Sequence, residues 1–251
     1  MRTIVIYPGR FHPFHRGHKS SYDYLTKQFG ANNVFIATSA VQAPVTSPFT
    51  FSDKMAMMTK LGIPAGRIAQ VTSPYQAKEI TSQIDDKEHT VLIFAVSEKD
   101  MTGDEARFKF GVKKNGELSY MQPYPSNGKK LQPMSKHAYV MVTPTVNFKV
   151  KGVDANSASQ IRKLYLDGND NDRDQIIADL YGEVDTGLRD IFDQRLGVTQ
   201  KTQAAIAEAR RNPRYAGKTL RLLEAIQQLE RLANLVEQED LVPDYINEKR
   251  Q

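Results

Sequence analysis

The sequence predicts an α/β protein built on an open parallel sheet, and three observations carry that prediction. Short apolar runs alternate with segments of helical spacing through the first hundred residues. One run, Thr90-Val91-Leu92-Ile93-Phe94-Ala95-Val96, is apolar nearly throughout, as strands buried on both faces are. The first run ends in a turn, Gly9 to His18, dense in glycine, proline, histidine and arginine. A turn at the carboxyl end of a first parallel strand is where open α/β sheets bind anionic ligands.

Taken in order, Thr3-Ile4-Val5-Ile6-Tyr7 is the first strand. A helix follows the turn, with Tyr22, Leu25 and Phe29 on its apolar side and Gly30 at its end. The second strand is Asn33 to Thr38, and a loop with Pro44 and Pro48 leads to a helix from Phe51 to Leu61. That helix turns Met55, Met58 and Leu61 inward and stops at Gly62 and Pro64. Arg67 to Thr72 is the third strand, residues 76–84 a short helix, and Thr90 to Val96 the fourth strand. Strands alternating with helices require right-handed crossovers and parallel pairing.

Residues 103–136 break this rhythm. They are polar, contain Gly103, Gly111, Gly116 and Gly128, and alternate weakly around Phe108, Phe110, Val112, Leu118 and Tyr120. They read as an inserted hairpin or flap, after which Ala138 to Val142 returns as a fifth strand. Three helices follow, Ser157 to Leu166, Asp172 to Tyr181 and 185–196, closing a domain that spans 1–198. Residues 199–251 form a helical C-terminal extension. In it Tyr215, Thr219, Leu222, Ile226, Leu229, Ala233 and Val236 step by four and three, a heptad seam. Such a stripe either docks on its own core or pairs with a second copy or another protein.

Composition narrows the function. Of 251 residues, 40% are hydrophobic and 25% charged, which suits a globular core. The absence of cysteine excludes disulfides, thiolate metal sites and a cysteine nucleophile. No apolar run approaches the length of a membrane span, and the expectation is a soluble, cytoplasmic protein. The net charge is +5, and residues 111–152 hold seven lysines against one glutamate. A basic excess fits an anionic small-molecule substrate. A nucleic-acid binder would share it, but the aromatic-basic interleaving of a single-strand platform is missing.

Two stretches carry chemistry. In the turn, His15 and His18 lie three apart, so a helix starting near His15 puts both on one face and within reach of one phosphate. Imidazoles donate hydrogen bonds when neutral and add charge when protonated, which suits phosphate oxygens as charge develops. Gly9 and Gly17 let backbone approach a ligand. The bland alternative is a Pro-rich surface loop, which explains one histidine better than three within seven residues. The second stretch is Ser157-Ala158-Ser159-Gln160-Ile161-Arg162. Ser157 is suited to cap a helix whose free N–H groups attract anions, and Arg162 offers a guanidinium fork one turn later.

With these residues in view, Gly9 to His18 resembles the G-x-F-x-P-x-H-x-G-H signature of the HxGH nucleotidylyltransferase superfamily. Ser157 to Arg162 resembles its second motif, I-S-S-T-x-I-R. Within the superfamily the sequence is most similar to nicotinamide-mononucleotide adenylyltransferases of the archaeal and related bacterial type. Their D-P-F-T segment resembles Ser47-Pro48-Phe49-Thr50, and their G-I-P-A-x-R resembles Gly62 to Arg67. The resemblance covers roughly residues 1–100 and 137–196. It implies a Rossmann-like open parallel sheet, here with an inserted flap and a C-terminal helical extension.

It also implies a reaction. Such enzymes bind ATP or another NTP with Mg²⁺, and an acceptor's phosphate attacks the α-phosphorus, releasing pyrophosphate. By resemblance His15, His18 and Arg162 are the catalytic set. Gly9, Arg10, Phe11, Gly17, Ser157 and Ser159 bind nucleotide and phosphate, and Ser97, Lys99 and Asp100 belong to a substrate loop. The metal travels with the nucleotide, and no protein metal site is expected. The sequence departs from these relatives at several points. His12 replaces a glutamine, Ala158 a serine and Ser159 a threonine; Pro44-Val45-Thr46, just before Ser47, offers no arginine where the relatives have one, and the chain has no tryptophan. By resemblance the leading expectation is transfer of AMP to nicotinamide mononucleotide to give NAD, and the departures bear on the acceptor. A sugar or polyol phosphate or phosphopantetheine as acceptor stays open, as does a nucleotide-binding assembly module acting through 199–251.

Overall fold

The computed structural model describes residues 1–43, 46–102, 106–126, 128, 130–144, 146–154 and 157–198. Six strands form one parallel sheet: β1 (Arg2–Pro8), β2 (Val34–Thr38), β3 (Ile68–Gln70), β4 (Thr90–Val96), β5 (Met121–Pro123) and β6 (Ala138–Val142). Their order across the sheet is β3-β2-β1-β4-β6-β5. A two-residue hairpin, β7 (Lys149–Val150) and β8 (Val153–Asp154), stands apart from it. The helices are α1 (Arg16–Phe29), α2 (Phe51–Lys60), α3 (Lys78–Thr81), α4 (Ala158–Asp167), α5 (Asp170–Tyr181) and α6 (Thr186–Arg195). This is the Rossmann-like α/β fold that the sequence predicts.

The chain steps outward from β1 to β2 to β3, then returns past β1 to β4. Right-handed crossovers place helices of opposite travel on opposite faces. Accordingly Tyr22 and Leu25 of α1 and Met57 and Met58 of α2 pack with Val5, Ile36 and Ile93 on one face, joined by Ile161, Ile176 and Phe192 of the last three helices. Ile4, Ile6, Leu92 and Phe94 face the other way, against Ala77, Ile84, Phe108 and Met134. Every residue of β4 is buried, which explains its unbroken apolar character. The strand order reverses between β1 and β4, and the crevice beyond their carboxyl ends is where such sheets take ligands. Gly9 and Ser97, the first residues after these two strands, flank it.

Helix boundaries follow from capping. Thr50 and Asp53 form a reciprocal capping box at the start of α2, and Asn169 with Asp172 does the same for α5. Gly30 and Gly182, at φ of 89° and 96°, close α1 and α5. On α2 the buried stripe differs from the sequence expectation. Met57 and Met58 are fully buried while Met55 and Leu61 are only partly so, because Lys54 occupies the inward face.

Residues 103–136 contain an antiparallel bridge between Val112 and Leu118, as a small hairpin would. The same segment also supplies β5, which extends the sheet beyond β6. Nothing in its composition signals that strand, since Met121–Pro123 has neither alternation nor an apolar run. The extension 199–251, with its heptad seam, lies outside the described residues.

Lys54 is the element on which the site's floor rests. Its side chain is fully buried, and Nζ donates to the Arg10 carbonyl at 3.2 Å, the Thr38 hydroxyl at 3.1 Å and the Ser39 carbonyl. An ammonium has three donors, and here all three are used. The contacts tie the chain leaving β1 to the chain leaving β2. Lys54→Met keeps most of the volume but takes the ammonium from the Ser39 carbonyl and leaves the Arg10 carbonyl with the Thr38 hydroxyl at 3.3 Å, so it is expected to cost roughly 2 kcal/mol. Equilibrium urea unfolding of the two proteins checks this.

Candidate active site

The turn after β1 is shaped by sterics before any ligand arrives. Gly9 N–H donates to the Ala37 carbonyl at 3.0 Å, continuing the pairing with β2. Phe11 then adopts a left-handed conformation, φ 52°, unusual for a bulky residue. Its ring folds back beneath Gly9, so a Cβ there would stand 2.5 Å from the ring. Gly9 is thus required for close approach. Phe11 and Phe14 pack edge to face at 5.2 Å, and both are buried.

His15 is the N-cap of α1. Its Nδ1 accepts the Gly17 N–H at 3.1 Å, which leaves the proton of the neutral ring on Nε2. Helical spacing brings His18 alongside, with ring centroids 3.8 Å apart. Phe11, Phe14 and Phe148 surround the pair, Phe148 lying 4.5 Å from His15. A Cβ on Gly17 would press on both His15 and Phe148 at 3.0 Å. His12, one of the departures, is also buried, and its Nδ1 accepts the Phe49 N–H at 3.3 Å. It therefore fastens the Ser47–Thr50 segment to the turn.

The second motif meets the first. Ser157 caps α4, its hydroxyl accepting the Gln160 N–H at 3.2 Å and lying 3.1 Å from the Ser159 hydroxyl. Both serines are exposed. Arg162 is buried and donates from Nη1 to the His12 carbonyl at 2.6 Å, joining residues 150 positions apart. Tyr181 of α5 donates to the Phe14 carbonyl at 2.8 Å. Two late helices thus grip the turn by its own backbone, and the start of α4, with its free N–H groups, is brought to the same region.

Across the crevice, Ser97 and Asp100 form a capping box just past β4, with the serine hydroxyl 2.6 Å from Asp100 Oδ2. Tyr75 donates its hydroxyl to Asp100 Oδ1 at 2.8 Å, and the Arg107 guanidinium lies 5.3 Å above the Tyr75 ring. Ser97, Lys99 and Arg10 are exposed and Asp100 half-buried. The expected residues therefore fall into two groups. His15, His18, Arg162, Gly9, Phe11 and Gly17 surround the turn, with Ser157 and Ser159 at the start of α4; Arg10 and Ser97, Lys99 and Asp100 stand at the crevice's mouth.

Sequence reasoning passed over Lys54, Tyr181, Phe148 and Arg107. Lys54 had a signal, because it lies three and four residues before Met57 and Met58 on the inward stripe. The others had none: a tyrosine at a helix end and a phenylalanine or arginine in a polar loop are unremarkable in sequence.

Burial in this aromatic setting makes the histidines hard to protonate. Desolvation, reinforced by Lys54 and Arg162, lowers His12 to about 2. Desolvation lowers His18 to about 3, and burial with the neighbouring His18 takes His15 well below its usual 6.5. In the free protein both site imidazoles are therefore neutral hydrogen-bond donors. Depressed folded values mean that the unfolded chain binds more protons below pH 6.5. The histidines' contribution to stability is full above that pH and is lost as pH falls toward about 3. Urea midpoints at pH 7.5, 6 and 5 should fall in that order. His12→Gln, which keeps an acceptor for Phe49, should flatten the dependence by one histidine's share.

Among curated proteins, no sequence matches the chain. Among solved structures, it is similar to a bifunctional NMN adenylyltransferase/ADP ribose pyrophosphatase from Francisella tularensis, crystallised with AMP and a Mn ion. The TM-score is 0.44 and the identity 13%, over 84% of this chain and 55% of that one. A second structure of that bifunctional protein gives a TM-score of 0.47 and 14% identity, over 84% and 56%. The chain spans about half the length of either. Residues 6–144, more than half of the chain, match the cytidylyltransferase-like family model, and the protein belongs to that family.

Proposed function

We propose that the protein is a nucleotidylyltransferase that moves a nucleotidyl group, AMP from ATP, onto a phosphate-bearing acceptor. The observation that carries this reading is the meeting of the two motifs, the histidine turn and the start of α4, through the contact between Arg162 and the His12 carbonyl. Family membership supports the same class of chemistry. The substrate is ATP with its magnesium. By resemblance the ion enters coordinated by the triphosphate.

The reaction asks little covalent chemistry of the protein. A phosphate oxygen of the acceptor forms a bond to the α-phosphorus, the bond from that phosphorus to the bridging oxygen breaks, and pyrophosphate leaves with the electron pair. A phosphate monoester is already ionised, so no base is required. What the chain supplies is position and charge. The Nε2–H of His15 and the ring of His18 donate to phosphoryl oxygens. The free N–H groups and hydroxyls at Ser157 and Ser159 cradle the triphosphate, while Arg162 adds positive charge and holds the turn.

Nicotinamide mononucleotide is the leading acceptor by resemblance, with NAD as product. A specific observation favours a second reading, in which the acceptor is a sugar or polyol phosphate or phosphopantetheine. The chain has no tryptophan, and the Arg107 guanidinium lies over the ring of Tyr75 at the crevice's far wall. Little open aromatic face is left there for a nicotinamide ring.

The full chain with ATP, Mg²⁺ and nicotinamide mononucleotide is expected to release pyrophosphate in a coupled assay. His18→Ala should lower kcat by about 10²–10³ with ATP affinity little changed, the scale of losing one preorganised donor. Absence of turnover across a panel of NTPs and phosphate acceptors would rule the reading out.

A further inference from the structure

Of the three phenylalanine rings around the histidine pair, two come with the turn itself. Phe11 and Phe14 lie 5.0 and 5.3 Å from His18. The third, Phe148, arrives from the segment after β6 and lies 4.5 Å from His15. Neither motif calls for it. It is brought there because the chain beyond it is fastened. Lys151 and Gly152 join β7 to β8 with φ of 52° and 74°, the positive pair that a two-residue hairpin turn favours. The Lys151 N–H donates to the Asp179 carboxylate at 2.7 Å, and its ammonium meets Asp172 at 2.6 Å. Val150 is fully buried in the core with α5, so the hairpin is held from both sides of its turn. On the other side Gly17 leaves the room that the ring takes, since a Cβ there would stand 3.0 Å from it. The Arg16 guanidinium lies 6.0 Å from the ring centroid.

His15 is buried and Phe148 half-buried, so the phenyl ring is the outer of the two. What it covers is sensitive to protons in a particular way. Nδ1 of His15 accepts the Gly17 N–H, and an imidazolium carries a proton on both nitrogens. Protonating His15 would set N–H against N–H and break the cap. Keeping the ring dry and keeping its geometry are therefore the same task. The titratable groups that bear on His15 are His18 and Arg16 of its own helix, and both oppose the imidazolium. From the hairpin, Phe148 brings no charge, and Lys149 beside it in the chain is another cation. Admission of water is the change that would let the ring take up a proton.

We propose that Phe148 is a positioning residue for His15: it seals the imidazole from water and holds the ring with Nδ1 on the Gly17 N–H and Nε2 toward the nucleotide. The seal stands on the contact alone. Its use in catalysis rests on the nucleotidyl-transfer reading.

The full chain, with carbon-13 in its five histidines, is titrated by NMR between pH 8 and pH 5, and His15→Gln assigns the His15 signal. In the wild type that signal should stay flat. In Phe148→Ala it should titrate near the ordinary histidine value of about 6.5, while the signals of His12 and His18 stay flat. Phe148→Leu keeps an apolar cover and should restore the flat response. Phe148→Val removes less contact and gives the same test at smaller amplitude should the alanine variant not fold. In the pyrophosphate-release assay, kcat of Phe148→Ala relative to wild type should fall roughly fourfold from pH 8 to pH 6, the share of neutral imidazole lost at a value of about 6.5. Three results would overturn the proposal: a flat His15 signal in the alanine and valine variants, a His15 that already titrates near 6.5 in the wild type, or His12 and His18 released together with it. The two readings fail separately. A His15 freed to titrate in a protein that turns over no acceptor removes the enzyme reading alone, and turnover with His15 indifferent to Phe148 removes this proposal alone.

Discussion

A buried ammonium holds the crevice open at its base. Lys54 sits where water cannot reach and is stabilised by three oxygens, two of them backbone carbonyls of the segments leaving β1 and β2, and by the charge of the neighbouring Asp53. Burial lowers its ionisation to about 8, so the charge is retained against a real desolvation cost. What that cost secures is geometry. The Arg10 carbonyl is fixed one residue before Phe11 turns into its left-handed conformation, and everything in the histidine turn is measured from there. A hydrophobic residue would fill the space but take the ammonium from both carbonyls, leaving that of Arg10 only the Thr38 hydroxyl.

Above this floor the turn is gripped from the other end of the chain. Arg162 and Tyr181 both bond backbone oxygens of the turn, at His12 and Phe14. Such contacts depend on where the main chain runs rather than on which side chains it bears. The helices therefore fix the loop's path and leave the imidazoles free to meet a ligand. The aromatic surround does the complementary work. It keeps both rings neutral, and with Nδ1 of His15 occupied by the Gly17 N–H the proton of that ring stays on Nε2.

Much of this was legible in sequence, and the reasons differ by element. Thr90–Val96 announced itself because burial on both faces admits few polar residues. The Gly9–His18 turn did so because two glycines and three histidines in one short loop have few structural explanations. Ser157 declared itself as a cap by its type and place, and it does cap α4. Lys54 was hidden because a lysine is ordinarily solvated, and helical spacing alone did not overrule that expectation. The contacts of Tyr181, Phe148 and Arg107 depend on tertiary placement: each joins segments that are distant in the chain, and no local pattern records such a meeting. β5 was hidden for a related reason, since three residues acquire strand geometry only because β6 is there to pair with.

That short strand has a further effect at the margins of the molecule. The sheet ends on one side at Ile68–Gln70 and on the other at Met121–Pro123, three residues each. A sheet grows by recruiting foreign strands along an unpaired edge, and its appetite for them scales with the length of edge on offer. Here each border provides barely one repeat of the hydrogen-bonding pattern, and at Pro123 the backbone has no N–H to give. The insertion, besides whatever it does at the crevice, ends the sheet in a stub that resists further growth.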